Sequence, residues 1–296
     1  STLLIDHLKE IDIVLFATGD FATKTLEFLV KDPQYNIKLV VTGQKISQIR
    51  GKKTDSNQIF KISKNNNLKT LVVDTLKKES VLEIIESQKA DLGIVVDFGE
   101  IIGRNVINYF PYGIINIHPS LLPKYRGTSP IQSAILSKSK KTGVTTMLID
   151  EGMDSGPILS SQEVILTGSE NFKIVHDFLS EVGASLLMDT IPYYLAGEIK
   201  PVAQDVQKAT YTKKIKKTDG RVDPTTPQLQ VEKMIRAYDP WPKVYTTIKG
   251  KTIIITAAHL DQEKNLVIDR VKPAGGREIS YQEYLRHYKT ELTFAK

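Results

Sequence analysis

A stretch near the start of the chain reads IDIVLFATGDFATKTLEFLVK over residues 11–31. Its first six residues are apolar apart from Asp12, which is typical of a buried strand. From Phe21 to Lys31 the apolar residues recur at helical spacing instead. A strand that passes through a short turn into an amphipathic helix is the first half of a βαβ unit. The stretch therefore predicts an α/β fold.

The same alternation of strand and helix patterns continues through the first 160 residues. An amphipathic stretch over Val81–Gln88 separates two of the later strand candidates. Because parallel strands are joined by crossovers that cover a face of the sheet, we expect an open, mostly parallel, Rossmann-like sheet with helices on both faces. The other strand candidates are Ile37–Thr42, Thr70–Val73, Leu92–Val96, Gly113–Ile117 and Val144–Ile149.

A long helix and an aperiodic segment mark the end of this first domain. Residues 170–196 have apolar positions at helical spacing and are followed by Gly197, a residue that commonly ends helices. The next eleven residues have no clear period and contain a Lys-Pro pair, which is typical of a linker. We therefore expect a catalytic domain at 1–196, a linker at 197–208 and a C-terminal domain at 209–296.

The C-terminal segment predicts a small β-rich domain. Thr226-Pro227 predicts a helix start, with the threonine as cap and the proline in the first turn. Lys249-Gly250 between two β-branched runs predicts a hairpin. Several short strands in about 85 residues favour a small OB-like β-barrel. The elements expected here are strands at Tyr245–Ile248, Thr252–Thr256 and Leu266–Val271 and a helix at Ser280–His287.

Charge is distributed unevenly along the 296 residues, which carry a formal net charge of +6. Residues 209–296 hold 17 Lys and Arg against 10 Asp and Glu, a surplus of +7, so residues 1–208 carry −1. A basic module joined to a near-neutral one indicates that the basic module meets a polyanion such as nucleic acid. A solvated basic face would give the same count, and charge alone does not separate the two interpretations.

The composition excludes several classes of protein and site. With 41% hydrophobic and 25% charged residues the chain is typical of globular proteins, and we expect a soluble one because no apolar run approaches the roughly 20 residues that span a bilayer. The absence of Cys excludes thiolate metal sites and a cysteine nucleophile. The five His lack ligand spacing, so we expect no metal. The turn after the first strand, Gly19–Ala22, lacks the later glycines of a dinucleotide fingerprint, so we expect no dinucleotide site there.

Asn116 and His118 are the first candidates for chemistry. They lie two residues apart at the end of an apolar strand, so both side chains point to the same face, and the strand runs directly into a loop. Ligands in open α/β sheets bind outside such carboxyl ends. An imidazole exchanges protons at neutral pH and an amide NH₂ donates to an oxyanion, which together suit acyl transfer. A buried, hydrogen-bonded pair that only closes the strand is the structural alternative.

Asp154 is the third candidate, in the Gly-flanked turn GMDSGP after the next strand. A neighbouring strand end would bring its carboxylate to His118, where it would orient the imidazole ring. Asp and Gly are also ordinary turn residues, so a purely structural role stays open. Ser120 lies beside His118, but no Gly-x-Ser-x-Gly elbow surrounds it, and we discount a serine hydrolase.

Two clusters of cations could hold the phosphates of a large substrate. The first lies in a loop after the second strand, and the second lies just after the predicted linker. Solvated surface positions would have the same composition. The candidates are Arg50, Lys52 and Lys53 in the first cluster and Lys213, Lys214, Lys216 and Lys217 in the second.

These candidates lie within longer motifs that resemble a known family. The runs NIHPSLLPKYRGTSPI at 116–131 and GVTTMLIDEGMDSGP at 143–157 resemble the folate-dependent formyltransferases. Beyond residue 205 the resemblance narrows to the methionyl-tRNA formyltransferases. The motifs that carry this narrower resemblance are ATYTKKI at 209–215, GRVD at 220–223, IRAYDPWP at 235–242 and KPAGG at 272–276.

The resemblance implies a reaction and residue roles. The amino group of initiator methionyl-tRNA would attack the formyl carbon of 10-formyltetrahydrofolate through a tetrahedral oxyanion. Asn116 would hydrogen-bond the oxyanion, His118 would stabilise it and move a proton, and Asp154 would tune His118 and help to deprotonate the amine. The basic loop around Arg50 would approach the acceptor stem. Residues implied in folate binding are Asp97, Phe98, Gly99, Glu100, Ile101, Ser120 and Asp154.

The chain departs from the family pattern at positions around the implied folate site. The segment after the first strand reads Thr18-Gly19-Asp20 without the usual proline, Asp97 replaces a small or apolar residue, and Gly103 replaces a proline. These departures raise a third hypothesis, a non-catalytic folate- or RNA-binding protein. A sugar-nucleotide N-formyltransferase with the same donor is the alternative enzyme. We expect the protein to be a monomer. We expect its location to be a bacterial cytoplasm, since the chain begins close to the first strand, and the mitochondrial matrix is the alternative.

Overall fold

The structure is a computed structural model that describes residues 10–43, 47–49, 52–54 and 57–296. Its strands are β1 (Ile11–Ala17), β2 (Tyr35–Gly43), β3 (Ser47–Ile49), β4 (Lys52–Thr54), β5 (Thr70–Val73), β6 (Leu92–Val96), β7 (Ile114–His118), β8 (Lys141–Leu148), β9 (Ile158–Ile165), β10 (Val244–Ile248), β11 (Lys251–Leu260), β12 (Leu266–Pro273) and β13 (Ile279–Ser280). Its α-helices are α1 (Thr23–Lys31), α2 (Gln58–Asn65), α3 (Glu79–Glu86), α4 (Arg104–Ile107), α5 (Pro130–Leu136), α6 (Phe172–Leu195), α7 (Gln228–Ala237) and α8 (Tyr281–Tyr288).

The chain forms two compact units whose segments alternate along the sequence. The first unit contains residues up to Arg126 together with Gly143–Glu163 and Asp177–Thr210, and the second contains Gly127–Thr142, Val164–His176 and Tyr211–Lys296. The segment interpreted above as a linker lies within the first unit. The bounds of the functional domains stay a prediction.

The first unit is built on a seven-stranded sheet in the order β5-β2-β1-β6-β7-β8-β9. The strands from β5 to β7 pair in parallel, and β8 runs antiparallel to β7. Because β1, β6 and β7 are neighbouring parallel strands, their carboxyl ends open onto one edge of the sheet. The parallel-rich α/β sheet that the sequence predicted is confirmed.

Apolar side chains from both faces of the sheet are buried under helices. On one face a buried cluster joins β1, β6 and β7 to α3 and α4, with Phe16 edge-on to Phe98 at 5.6 Å and to Phe110 at 6.2 Å. On the other face Gly183 of α6 lies against Ile117 of β7. Burial of these aromatic and aliphatic groups is the main favourable contribution to the fold, and Phe98 also fixes the loop after β6.

Several predicted elements agree closely with the structure. The strands at Thr70–Val73 and Leu92–Val96 match residue for residue, and the long helix spans Phe172–Leu195 before Gly197, whose φ is +74°. The sequence interpretation missed β9, which pairs at the edge of the sheet. Its residues are mostly exposed or half-buried, so β9 lacks the continuous apolar run that marks the central strands.

The second unit contains a four-stranded antiparallel sheet in the order β10-β11-β12-β13. The hairpin predicted at Lys249-Gly250 joins β10 to β11, and both turn residues have positive φ, as a type I′ turn requires. The small C-terminal β module is therefore confirmed in the form of this sheet. Tyr245 of β10 also forms a parallel bridge with Arg221.

The predicted start of α7 is wrong by one residue. Pro227 occupies the cap position in an extended conformation and no side chain caps the helix. The Thr226 hydroxyl is used elsewhere, since it accepts a hydrogen bond from the backbone N–H of Asp223 at 3.1 Å. The first helical N–H, that of Gln228, donates instead to the carbonyl oxygen of Ala295 at 2.7 Å. A main-chain partner from the end of the chain replaces the expected side-chain cap.

Candidate functional site

His118 lies at the end of β7 and is 5% exposed. Its Nε2 is 2.9 Å from the carbonyl oxygen of Tyr125, in the loop that follows. Because a carbonyl oxygen only accepts, Nε2 carries a hydrogen and donates it. The neutral ring therefore presents Nδ1 as its basic atom, so the tautomer is set by the loop after β7.

Asp154 faces that basic nitrogen. Its Oδ2 lies 3.7 Å from Nδ1 of His118, and about 20% of its side chain is exposed. The distance is too long for a direct hydrogen bond but short enough for the carboxylate to stabilise positive charge on the imidazole. Asp154 has a φ of +48°, a left-handed conformation that is uncommon for residues other than glycine. The predicted neighbourhood of His118 and Asp154 is thus present.

Ser120 has a structural role in the loop after β7. Its side chain is fully buried, its hydroxyl donates to the carbonyl oxygen of Lys124 at 2.7 Å, and its own carbonyl accepts from the Thr145 hydroxyl at 2.7 Å. These bonds fold the loop back on β8. Ser120 does not line the cavity described next, so its implied contact with folate stays a prediction.

A cavity of about 250 Å³ opens at the carboxyl ends of β6 and β7. It is lined by the loop Asp97–Ile102, by Asn116, and by the turn after β8 from Ile149 to Asp154. The structure therefore brings together the amide, one carboxylate of the predicted trio and the whole stretch 97–101 that the family resemblance implied in folate binding. The lining carries several carboxylates and suits a ligand rich in N–H donors.

Two departures from the family pattern lie against each other, and one of them, Asp97, lines this cavity. The backbone N–H groups of Thr18 and Gly19 donate to the carbonyl oxygen of Asp97 at 3.1 and 2.8 Å. A Cβ at Gly19 would overlap the Asp97 carboxylate. The glycine therefore makes room for the aspartate, and the two unusual residues form one local arrangement.

The mouth of the cavity combines apolar and charged side chains. Ile101 is 91% exposed and Met153 is 60% exposed, on the two loops that line the cavity. Arg104 and Glu151 form a two-bond ion pair at 3.0 Å between the start of α4 and the turn after β8. Sequence reasoning did not identify Met153 or this ion pair, since an exposed methionine in a turn and an ordinary surface pair carry no motif.

The predicted phosphate contacts are less well defined. Lys213, Lys214, Lys216 and Lys217 are all exposed in the second unit, and Lys213 Nζ lies 4.0 Å from Asp219. In the other cluster, Arg50 lies outside the described residues. Lys52 and Lys53 belong to β4, but their side chains also lie outside the description. All seven stay predictions.

Two kinds of feature are absent from the part of the chain that the structure describes. They contain no group of three or more His, Asp or Glu arranged to hold a metal ion. None of the helices in these ranges is both long enough and apolar enough to cross a membrane.

Family models match most of the chain. Residues 10–191 match the model described as formyl transferase, and residues 214–266 match the formyl transferase C-terminal domain. The first match covers the seven-stranded sheet and the whole cavity. The second covers α7, β10 and β11.

Individual proteins that are similar to this chain are also formyltransferases. The methionyl-tRNA formyltransferase of Roseiflexus castenholzii is 35% identical over 93% of this chain and 95% of its own length. Among solved structures, a sugar 3N-formyl transferase, WlaRD, solved with dTDP and 5-N-formyl-THF, aligns with a TM-score of 0.64 at 20% identity over 86% of this chain and 88% of its own. The methionyl-tRNA formyltransferase of Clostridium thermocellum aligns with a TM-score of 0.58 at 18% identity over 89% of this chain and 98% of its own.

Proposed function

Because this chain belongs to the formyl transferase family, we propose that it transfers the formyl group of 10-formyltetrahydrofolate to the amino group of initiator methionyl-tRNA. The observation that carries the proposal is the convergence of Asn116 and Asp154 on one cavity, with His118 beside Asp154. The acceptor is chosen from the relative that is 35% identical over nearly the full length of both chains.

The reaction follows from these groups. The amine nitrogen attacks the formyl carbon, a C–N bond forms, and the carbonyl π electrons move to oxygen as an oxyanion. The Asn116 amide donates to that oxyanion. With the help of Asp154, the amine proton passes to Nδ1 of His118, since Nε2 already donates to Tyr125. The bond to N10 of the folate then breaks, N10 takes up this proton from His118, and tetrahydrofolate and formylmethionyl-tRNA are released.

The folate donor binds in the cavity after β6. Asp97, Phe98, Gly99, Glu100 and Ile101 form one wall. Asp154 contributes the wall formed by the turn after β8, and Ser120, in the loop after β7, completes the proposed folate contacts. The cavity volume of about 250 Å³ suits a single ring system, with the rest of the donor along the exposed Ile101 and Met153. Among the described residues no metal-binding group is found.

The tRNA contacts belong to the two cation clusters. Lys213, Lys214, Lys216 and Lys217 contact backbone phosphates, and Arg50, Lys52 and Lys53 approach the acceptor end. In functional terms the catalytic domain spans 1–196, the linker 197–208 and the tRNA-binding domain 209–296. The +7 surplus of the last segment supports this division. We further propose that the protein acts as a monomer in a bacterial cytoplasm.

A sugar-nucleotide N-formyltransferase is the second candidate. It shares the fold, since WlaRD aligns with a TM-score of 0.64 and the methionyl-tRNA formyltransferase of Clostridium thermocellum with 0.58. Both of these solved chains are at most 20% identical to this one, so the alignments show the shared fold and not the acceptor. The 35% identity of the relative from Roseiflexus castenholzii favours tRNA.

A two-acceptor assay tests the proposal. The protein is incubated with 10-formyltetrahydrofolate and either charged initiator methionyl-tRNA or a dTDP-amino sugar, with His118→Ala as the control. We expect transfer to the tRNA and none to the sugar, and we expect the activity to disappear in His118→Ala. Transfer to the sugar alone would replace the proposed acceptor, and transfer to neither would support a non-catalytic binding protein.

A further inference from the structure

Both partners of His118 lie in loops that one later segment of the first unit holds in place. Tyr125, whose carbonyl fixes Nε2, is in the loop after β7, and Asp154, which faces Nδ1, is in the turn after β8. The segment Gln204–Thr210 contacts both loops. It lies within the region that the sequence interpretation treated as a linker and its immediate continuation.

Gln204 connects the two loops through a single side-chain amide. Its Oε1 accepts from Nε of Arg126 at 3.1 Å and from Nη2 at 2.7 Å. Its Nε2 donates to the carbonyl oxygens of Asp154 at 2.9 Å and Gly156 at 2.8 Å. Guanidinium groups only donate and carbonyl oxygens only accept, so these neighbours fix which end of the amide faces which loop.

The turn that Gln204 holds needs such support. A left-handed conformation at Asp154 is less favourable than a right-handed one, and it persists only where surrounding contacts fix it. From the other side the turn is fixed at Gly156, where a Cβ would overlap the carbonyl oxygen of Leu148. The two hydrogen bonds from Gln204 close the turn between these fixed points.

Arg126 gives the contact on the other loop its strength. Its side chain is only 3% exposed, and a buried guanidinium needs hydrogen-bond acceptors to be tolerated. Arg126 follows directly after Tyr125. Its backbone N–H donates to the carbonyl oxygen of Thr210 at 2.9 Å, and the N–H of Tyr125 donates to the Thr210 hydroxyl at 2.8 Å. The segment therefore bonds to this loop through its first residue, Gln204, and through its last residue, Thr210.

We infer that Gln204 is a positioning residue for formyl transfer, which holds the Asp154 turn at the correct distance from His118 by bonding it to the Arg126 loop. The inference rests on the proposed function. Gln204 does not line the cavity, so it acts through Asp154 and not on the substrates. Its effect should therefore fall on turnover and not on the affinity for the donor.

Two variants separate the two ends of the amide. Gln204→Met keeps the length of the side chain and removes both polar ends. Gln204→Glu keeps an acceptor for Arg126, adds an ion pair with it, and places an oxygen against the carbonyls of Asp154 and Gly156. The control is Gln207→Met, an exposed position in the same segment.

We expect kcat to fall about 10- to 100-fold in both Gln204 variants, with the KM for 10-formyltetrahydrofolate changed less than threefold and Gln207→Met like wild type. We expect Gln204→Glu to keep the wild-type melting temperature because its carboxylate still accepts the hydrogen bonds from Arg126 and forms an ion pair with it. A merely structural role predicts that Gln204→Glu restores turnover as well. Wild-type kcat in Gln204→Glu, or failure of both variants to fold, would overturn the inference.

A measurement without substrate distinguishes this inference from the proposed function. Amide hydrogen exchange of residues 150–156 should be faster in Gln204→Met than in wild type, and unchanged in Gln207→Met. Unchanged exchange in Gln204→Met would overturn the inference even if formyl transfer is confirmed. Faster exchange in a protein that transfers no formyl group would keep the contact and reject the proposed function.

Discussion

The cavity edge of the first unit and the sheet of the second unit carry their charged groups in different ways. At the cavity edge His118 is buried, and Asp97 and Asp154 both have left-handed backbones beside the cavity. In the second unit the left-handed residues include Lys249 and Lys264, which lie in exposed turns between strands. The first arrangement stores backbone strain at a site, whereas the second only reverses the chain.

This contrast predicts where single substitutions have large effects. Groups at the cavity edge act at fixed distances in surroundings partly shielded from water. The loss of a single group therefore has a large effect on turnover. Exposed lysines act through their sum and are screened by salt. We therefore expect large effects on turnover at the cavity edge and small, additive effects on affinity in the second unit.

The largest effect is expected for Asp154→Asn. This change keeps the shape of the side chain but removes the negative charge 3.7 Å from His118, so kcat should fall about 100- to 10,000-fold. The KM values of both substrates should change much less. Single-turnover formyl transfer at saturating donor measures this, and a rate within threefold of wild type would remove Asp154 from the mechanism.

Asn116→Ala is expected to have the next largest effect. The amide is the side-chain donor of the predicted trio that lines the cavity, and the loss of one oxyanion donor costs about 100- to 1,000-fold in kcat. Asn116→Asp is the matched variant, which keeps the shape but places a carboxylate beside the oxyanion. If Asn116→Asp were as active as wild type, oxyanion stabilisation by this residue would be excluded.

Gly19→Ala should weaken donor binding by about tenfold. Its new methyl group overlaps the Asp97 carboxylate, which must move into the cavity or out of the loop after β6. The double variant with Asp97→Ala removes the overlap and should recover most of the affinity. The KM for 10-formyltetrahydrofolate, measured by titrating this donor, tests the expectation for the single and the double variant. Asp97→Ala alone completes the cycle, and losses that simply add in the double variant would show that the two positions are not coupled.

In the second unit, replacement of the four predicted lysines by Ala should raise the KM for methionyl-tRNA roughly tenfold and leave kcat unchanged. The salt dependence of KM should also become shallower, by about one log-log unit for each lysine that contacts phosphate. The four positions are Lys213, Lys214, Lys216 and Lys217. Four exposed lysines of the first unit serve as the matched control, namely Lys31, Lys61, Lys64 and Lys77. An equal effect of the control set would assign the contribution to net charge alone.

The smallest effect concerns the stability of the second unit. Burial by itself raises the pKa of Glu170, but hydrogen bonds from Thr167 and Gly168 outweigh it and lower the pKa to about 2. The carboxylate therefore contributes stability at neutral pH, which is lost as the pH falls from about 4.5 towards 2. Glu170→Gln should cost about 1 kcal/mol or less at pH 7, because the group is partly exposed.

Urea unfolding at pH 7 and pH 3 tests this prediction. The difference in unfolding free energy between wild type and Glu170→Gln should be smaller at pH 3 than at pH 7. A difference that grows on acidification would contradict the depressed pKa.

Local patterns were sufficient to predict much of the fold and part of the site. The apolar runs at 70–73 and 92–96 identified their strands because both are set by side chains within the run. Alternation placed Asn116 and His118 on one face, and the strand order brought Asp154 near them. The structure also places the stretch 97–101 at the same cavity, as the family resemblance implied.

The remaining features depend on contacts between distant parts of the chain. Gln204 bonds to residues 48 to 78 positions away, and no local period marks it. Gly19 and Asp97 looked like separate departures until the fold placed one against the other. The failed cap at Thr226 has the same origin, since a carbonyl from the end of the chain supplies the bond.

The most direct measurement is a titration of methionyl-tRNA at saturating 10-formyltetrahydrofolate for wild type, Asp154→Asn and the four-lysine variant. We predict transfer by wild type, a lower kcat at nearly unchanged KM in Asp154→Asn, and a higher KM at nearly unchanged kcat in the lysine variant. The same change in kcat and KM in both variants would contradict the assignment of chemistry to the cavity edge and of affinity to the basic surface.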